Sequence, residues 1–228
     1  MSLPLTPKIF LAGLILVFAL FLLIFSFQPA SAAGPITLDG NFFDWQGQTH
    51  ITDPPGDANN DKTDIVQFAF ATNPNDETAY FMAERLKGGS TEVIYYLYLD
   101  TDNDGIFSEA NDRRIEIIYH PENNNSDVTV ILYSGTGAEL GVIASGANWG
   151  ESREEGGEQV EWKVPFAALG IEPYQPIQMK LESRQGNHAS DTTSVVQWSP
   201  ADLLGVGLLA VILIGMSGWM AARRRQMA

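Results

Sequence analysis

Hydrophobic and polar positions divide the chain into three stretches. One long apolar run covers residues 9–27, another covers 203–222, and between them lie short runs separated by turn residues. In the middle stretch Val66, Phe68 and Phe70 alternate with Gln67, Ala69 and Ala71, and Val160, Trp162 and Val164 alternate with Glu161 and Lys163. A period of two sends successive side chains to opposite faces of a strand, so each run predicts one buried and one wet face. Such runs occupy residues 65–72, 78–85, 93–100, 115–119, 127–133, 159–164, 177–183 and 194–199, with 36–39 as an edge strand. A single helical turn is expected at 166–169, behind Pro165. Many short strands at close spacing, with hardly any helical period, predict an all-β fold: an antiparallel, jelly-roll-like β-sandwich. Residues 73–77, 121–126 and 151–158 read as loops by composition, and Trp45, Trp162 and Trp198 as core.

The apolar ends set the expected compartment. Lys8 precedes the first run, and Ala30-Ser31-Ala32-Ala33 follows it, the order of charge, apolar core and small residues that export signals share. Residues 1–32 are therefore expected to be a signal peptide cut after Ala32; the run is also long enough to span a bilayer uncut. Residues 203–222 carry no charge and are followed by Arg223, Arg224 and Arg225. Twenty helical residues rise about 30 Å, the thickness of the hydrocarbon layer, and basic residues stay on the cytoplasmic side. The expected protein is a single-pass protein of the cell membrane. Residues 33–200 form an extracytoplasmic sandwich, 203–222 a transmembrane helix and 223–228 a cytoplasmic basic tail. No Leu-Pro-x-Thr-Gly or Pro-Glu-Pro sorting motif precedes the span.

Charge and cysteine narrow the function classes. Residues 33–200 hold nine Lys and Arg against twenty-seven Asp and Glu, a net charge of −18. That field disfavours nucleic acid, which needs a basic footprint, and suits divalent cations. The chain has no cysteine, which removes disulfides, thiolate metal sites and a cysteine nucleophile together. No Gly-x-Ser-x-Gly, His-Glu-x-x-His or phosphate-cradling Gly loop is present, and His50, His120 and His188 are isolated, so no enzyme is expected.

Two acidic clusters stand out. Asp100-Thr101-Asp102-Asn103-Asp104-Gly105 follows a strand, and alternate carboxylates with a turning glycine place several oxygens on one small cation. Asn111 occupies the position where a helix-flanked calcium loop has its closing Glu, with Asp112 beside it, so the expectation is a calcium-binding β-hairpin loop. The alternative is an acidic turn without an ion. The second cluster holds Asp53, Asp57, Asp61 and Asp64; Asp53, Asp57 and Asp64 are the candidate ligands, again with a solvated loop as the alternative. Trp149, between Asn148 and Gly150, is the candidate platform for a sugar ring, with plain packing as its alternative.

The run Ile36-Thr37-Leu38-Asp39-Gly40-Asn41-Phe42-Phe43-Asp44-Trp45, the Asp53-Pro54-Pro55-Gly56-Asp57 segment, Asp100-Thr101-Asp102, and Val160-Glu161-Trp162-Lys163-Val164-Pro165-Phe166 resemble, in that order, family 9 carbohydrate-binding modules and related DOMON-like sandwiches. The resemblance implies a β-sandwich, calcium on the two acidic clusters and a carbohydrate partner. Some DOMON relatives hold b-type haem, for which Met82 with His188 or His120 is the conceivable pair here. The expected function is a non-catalytic, calcium-stabilised, carbohydrate-binding-like module on the outer membrane face. An adhesion protein of the envelope without a small ligand, and a haem electron-transfer domain, are the alternatives.

Overall fold

The computed structural model describes residues 34–73, 76–121, 127–147, 156–186 and 188–200. The expected signal segment (residues 1–32), the expected membrane span (203–222), the basic tail (223–228) and Trp149 lie outside the described residues. Among the described residues no helix is long and apolar enough to cross a membrane.

Among the described residues, eleven strands form two antiparallel sheets with almost no helix. The four-stranded sheet has the order β1 (Thr49–Thr52), β2 (Ile65–Thr72), β3 (Thr78–Arg85), β8 (Gln159–Pro165). The seven-stranded sheet contains β4 (Val93–Asp100), β5 (Arg113–His120), β6 (Asp127–Ser134), β7 (Glu139–Ala147), β9 (Ile177–Gln185), β10 (His188–Thr192) and β11 (Val196–Trp198). Its path runs β10-β9-β4-β5-β6-β7, and β11 also pairs with β9. Helix α1 (Phe166–Leu169) is the expected single turn, entered from Pro165 and ended by Gly170 at φ 70°.

The inward faces of the two sheets build one core. Phe68, Phe70, Phe81 and Trp162 of the four-stranded sheet meet Tyr95, Leu97, Ile115, Ile117 and Leu181 of the other. Trp198 reaches across from β11, with its ring 5.3 Å from Phe70 and 6.2 Å from Phe81. Tilted and edge-on ring pairs of this kind contribute roughly 0.5–1.5 kcal/mol each beyond their buried area.

Three expectations need correction. Residues 36–39 form no strand; they begin a strap, residues 36–45, tied to the sheet through Asn73, whose Oδ1 accepts from Ile36 N at 2.6 Å and whose Nδ2 donates to Ile36 O at 2.8 Å. The middle of the outer face of the four-stranded sheet is consequently covered, while Lys163 on the same face stays exposed. Ile36 and Trp45 of the strap cover Ala69, Ala71, Tyr80 and Met82 in a second apolar cluster. Glu161, fully buried on that same face, accepts from Asp39 N, Gly40 N and Trp45 Nε1 and holds the strap down. Finally, an irregularity between Ile65 and Gln67 resets the alternation, so Ile65 is buried in the main core and Val66 is only half-buried.

The strands β1, β7 and β10 were not expected from the sequence. β7 contains Gly141 at φ 138° and pairs with β6 through two register shifts, which breaks the period of two. β1 and β10 are short, polar edge strands with no continuous apolar face.

Candidate metal centres

The loop from β1 to β2 carries Asp53, Asp57 and Asp64, and the fold adds Asp191 from β10. Carboxylate oxygens of Asp53, Asp57 and Asp191 lie within 4.8 Å of one another. Asp64 is fully buried. Its Oδ2 accepts from Gly56 N at 2.6 Å, made possible by the left-handed turn at Gly56 (φ 90°), while its Oδ1 is buried without a hydrogen-bond partner. Asp53 Oδ2 is likewise buried and unpartnered. Asp191 Oδ2 accepts from Ile65 N at 2.6 Å, so this carboxylate bridges the seven-stranded sheet to the first residue of β2.

The same seam is laced by neutral groups. Thr63 Oγ1 and Ser190 Oγ are 2.6 Å apart, and Ser183 Oγ donates to the Thr63 carbonyl. These bonds fix the backbone on either side of the seam, while the Asp57 carboxylate at its rim is exposed. Two full charges at the 4.8 Å limit of this group would repel by about 3.5 kcal/mol at an effective dielectric of about 20, less where water screens them. The consequence appears in the acidities. Burial first, then the charges of Asp191, Asp57 and Asp64, push Asp53 up to about 6. Asp191 is also raised, with burial outweighing the amide bonds from Ile65 and Thr192. A divalent cation bound among Asp53, Asp57 and Asp191 would relieve the repulsion and give the orphaned Asp53 oxygen a partner.

The second cluster is more exposed. Oxygens of Asp100, Asp102 and Asp104 lie within 4.8 Å of one another in the β4–β5 loop. Asp100, buried at the strand end, accepts from Asp104 N at 3.2 Å and Gly105 N at 2.7 Å, and Asn103 and Gly105 both take positive φ to fold the loop back. The crowded charge, with Asp104 as the largest contributor, raises the carboxyl of Glu109 as well. Asp112 is fully buried, and both its oxygens are engaged by the loop: Oδ1 accepts from Thr101 N at 3.1 Å and Oδ2 from Glu109 N at 2.8 Å. In this geometry it staples the loop, and the ligand cluster consists of the three aspartates before it.

Of the sequence-selected residues, Asp53 and Asp57 come together with Asp191, and Asp100, Asp102 and Asp104 form the other group; Asp64 stands outside the first group, although its charge is felt at Asp53. Asp191 was missed. It stands in the polar run Ala189-Ser190-Asp191-Thr192, and only the pairing of β10 with β9 carries it to the other cluster. The haem pair does not assemble. Met82 is buried under the strap on the outer face of the four-stranded sheet, whereas His120 and His188 are exposed on the other sheet, His120 against Glu92 at 3.0 Å. No protein-family model, curated protein or solved structure matches the chain.

Proposed function

We propose that the protein is a non-catalytic, calcium-stabilised binding module of jelly-roll-like type, displayed by its C-terminal anchor on the outer face of the membrane and directed at carbohydrate. The observation that carries the calcium part is the buried, half-satisfied carboxylate of Asp64 beside Asp53, Asp57 and Asp191. An all-oxygen, carboxylate-rich donor set on a loop fits calcium, which takes six to eight oxygens in flexible geometry. The loop of Asp100, Asp102 and Asp104 is the second calcium position. The carbohydrate part rests on the resemblance of the ordered motifs and on the absence of cysteine or of any hydrolase motif from the sequence; Trp149 remains the platform proposed from sequence.

A glycan array probed with the full chain, in calcium and in chelator, tests the reading. Calcium-dependent retention of a defined set of saccharides is the expected result. Retention of none under either condition removes the carbohydrate part and leaves an adhesion or structural role for the same fold.

A further inference from the structure

The outer face of the seven-stranded sheet carries a cluster that the acidic sites leave unexplained. Alternation in β4 turns Tyr96 and Tyr98 away from the core, and the registers place Tyr98 between Arg114 of β5 and Lys180 of β9. Each of these cations is held between two rings. The Arg114 guanidinium lies 4.8 Å from the Tyr96 ring centre and 4.4 Å from that of Tyr133. The Lys180 ammonium lies 5.3 Å from Tyr98 and 5.1 Å from Phe107. Tyr96 and Tyr98 meet edge to face at 6.2 Å and join the two clamps.

Among the described residues, neither Arg114 nor Lys180 has a carboxylate within ion-pairing distance, although residues 33–200 hold twenty-seven acids for nine bases. On the same face Glu182 is engaged by Arg184 at 2.5 Å. Arg114 Nε is buried with no hydrogen-bond partner. Cations kept free of carboxylate in so acidic a molecule, and fixed by aromatic rings, are complementary to an anionic group arriving from outside.

We propose that this face binds an acidic saccharide, a glycan bearing uronate carboxylates, with Arg114 and Lys180 taking the carboxylates and the tyrosines contacting the sugar rings and hydroxyls. The inference deepens the carbohydrate reading above and rests on it. A uronate glycan suits the site better than nucleic acid. Duplex DNA carries a charge about every 1.7 Å and would be repelled by the surrounding domain, whereas a uronate chain carries at most one charge per sugar. At physiological salt, screening over about 8 Å confines the domain's repulsion and lets the local cations govern.

The test is titration calorimetry on the full chain, in non-ionic detergent and at constant calcium. The probes are trimers of galacturonate, glucuronate and mannuronate and their uncharged counterparts. One uronate trimer should bind at least about tenfold tighter than its uncharged counterpart; Arg114→Gln and Lys180→Gln should each weaken it by about tenfold, and Lys180→Arg should retain it. Should Arg114→Gln fail to fold, as judged by melting, the Lys180 pair of variants decides alone. Equal affinity for charged and uncharged trimers, or indifference to the Gln substitutions, overturns this inference and spares the carbohydrate reading. Binding of no saccharide at all, here and on the array, overturns both.

Discussion

Glu161 offers the most quantitative check on how the N-terminal strap is held. The residue is fully buried between the four-stranded sheet and the strap, with Oε1 accepting from Asp39 N at 2.8 Å and Gly40 N at 2.9 Å, and Oε2 from Trp45 Nε1 at 2.9 Å. Burial pushes its carboxyl from 4.5 up to about 7; the three hydrogen bonds pull the other way and lose, and Asp44 adds to the rise. At 1.36 kcal/mol per pKa unit, that difference is worth about 3 kcal/mol. The sign follows from which state ionises first. Below pH 4.5 the group is protonated in both states, and its stabilising effect is fully present. As pH rises towards about 7 the unfolded chain ionises while the folded one resists, and stability is lost; above about 7 the loss is complete. Glu161→Gln abolishes this titration. Its side-chain oxygen still serves the two backbone amides, but its amide faces the Trp45 N–H donor to donor, a pH-independent cost of about 1–3 kcal/mol. Urea unfolding of both proteins across this range, at saturating calcium, isolates the effect, because subtracting the variant from the parent cancels every other titrating acid. The parent's advantage should shrink by about 3 kcal/mol between pH 4.5 and the region above 7. A difference that does not change with pH refutes the assignment of a buried, proton-retaining carboxylate at the strap.

Two further substitutions probe the frame around the loops. Arg85 is buried on β3 and donates to four carbonyls, those of Gly157, Lys62, Thr91 and Gly89. Arg85→Met should destabilise by about 3–5 kcal/mol in urea unfolding, and Arg85→Lys should not restore it, because an ammonium cannot span that fork of acceptors; a loss below about 1 kcal/mol would contradict the hub role. Gly135, in the β6–β7 turn, sits where an added Cβ would lie 2.4 Å from the Glu109 carbonyl oxygen and 2.6 Å from Asp112 Cβ. Gly135→Ala should cost about 1–3 kcal/mol and weaken calcium binding at the neighbouring Asp100 loop, read by melting and titration together.

What the sequence made legible follows from how far each feature reaches along the chain. Strands β2, β3, β4 and β8 could be read because their period of two is carried by large apolar residues, as in Phe68 and Phe70 or Trp162 and Val164. The clusters of Asp53 to Asp64 and Asp100 to Asp104 were visible because their members are neighbours in one loop. Asp191 was not, since it reaches the first cluster from 126 positions beyond Ile65, by strand pairing alone. The strap was misread for a related reason. Ile36-Thr37-Leu38-Asp39 has strand-like alternation, but its partners are side chains of Asn73 and Glu161, which no local pattern announces. The clamps around Arg114 and Lys180 depend on the registers of β4 with β5 and β9, which the sequence does not encode in any contiguous motif.

The central claim is that Asp53, Asp57 and Asp191, with the buried Asp64 behind them, form a calcium site, and direct calcium titration of the full chain and of Asp191→Asn tests it most closely. Asparagine keeps an oxygen to accept from Ile65 N and removes only the charge. The parent should bind calcium and melt higher in its presence, by about 2.7 kcal/mol of added stability at a hundredfold excess over Kd. The variant should lose one binding event and most of that gain. A parent chain that takes up no calcium at this seam, or a variant that binds and melts as the parent does, would contradict the account.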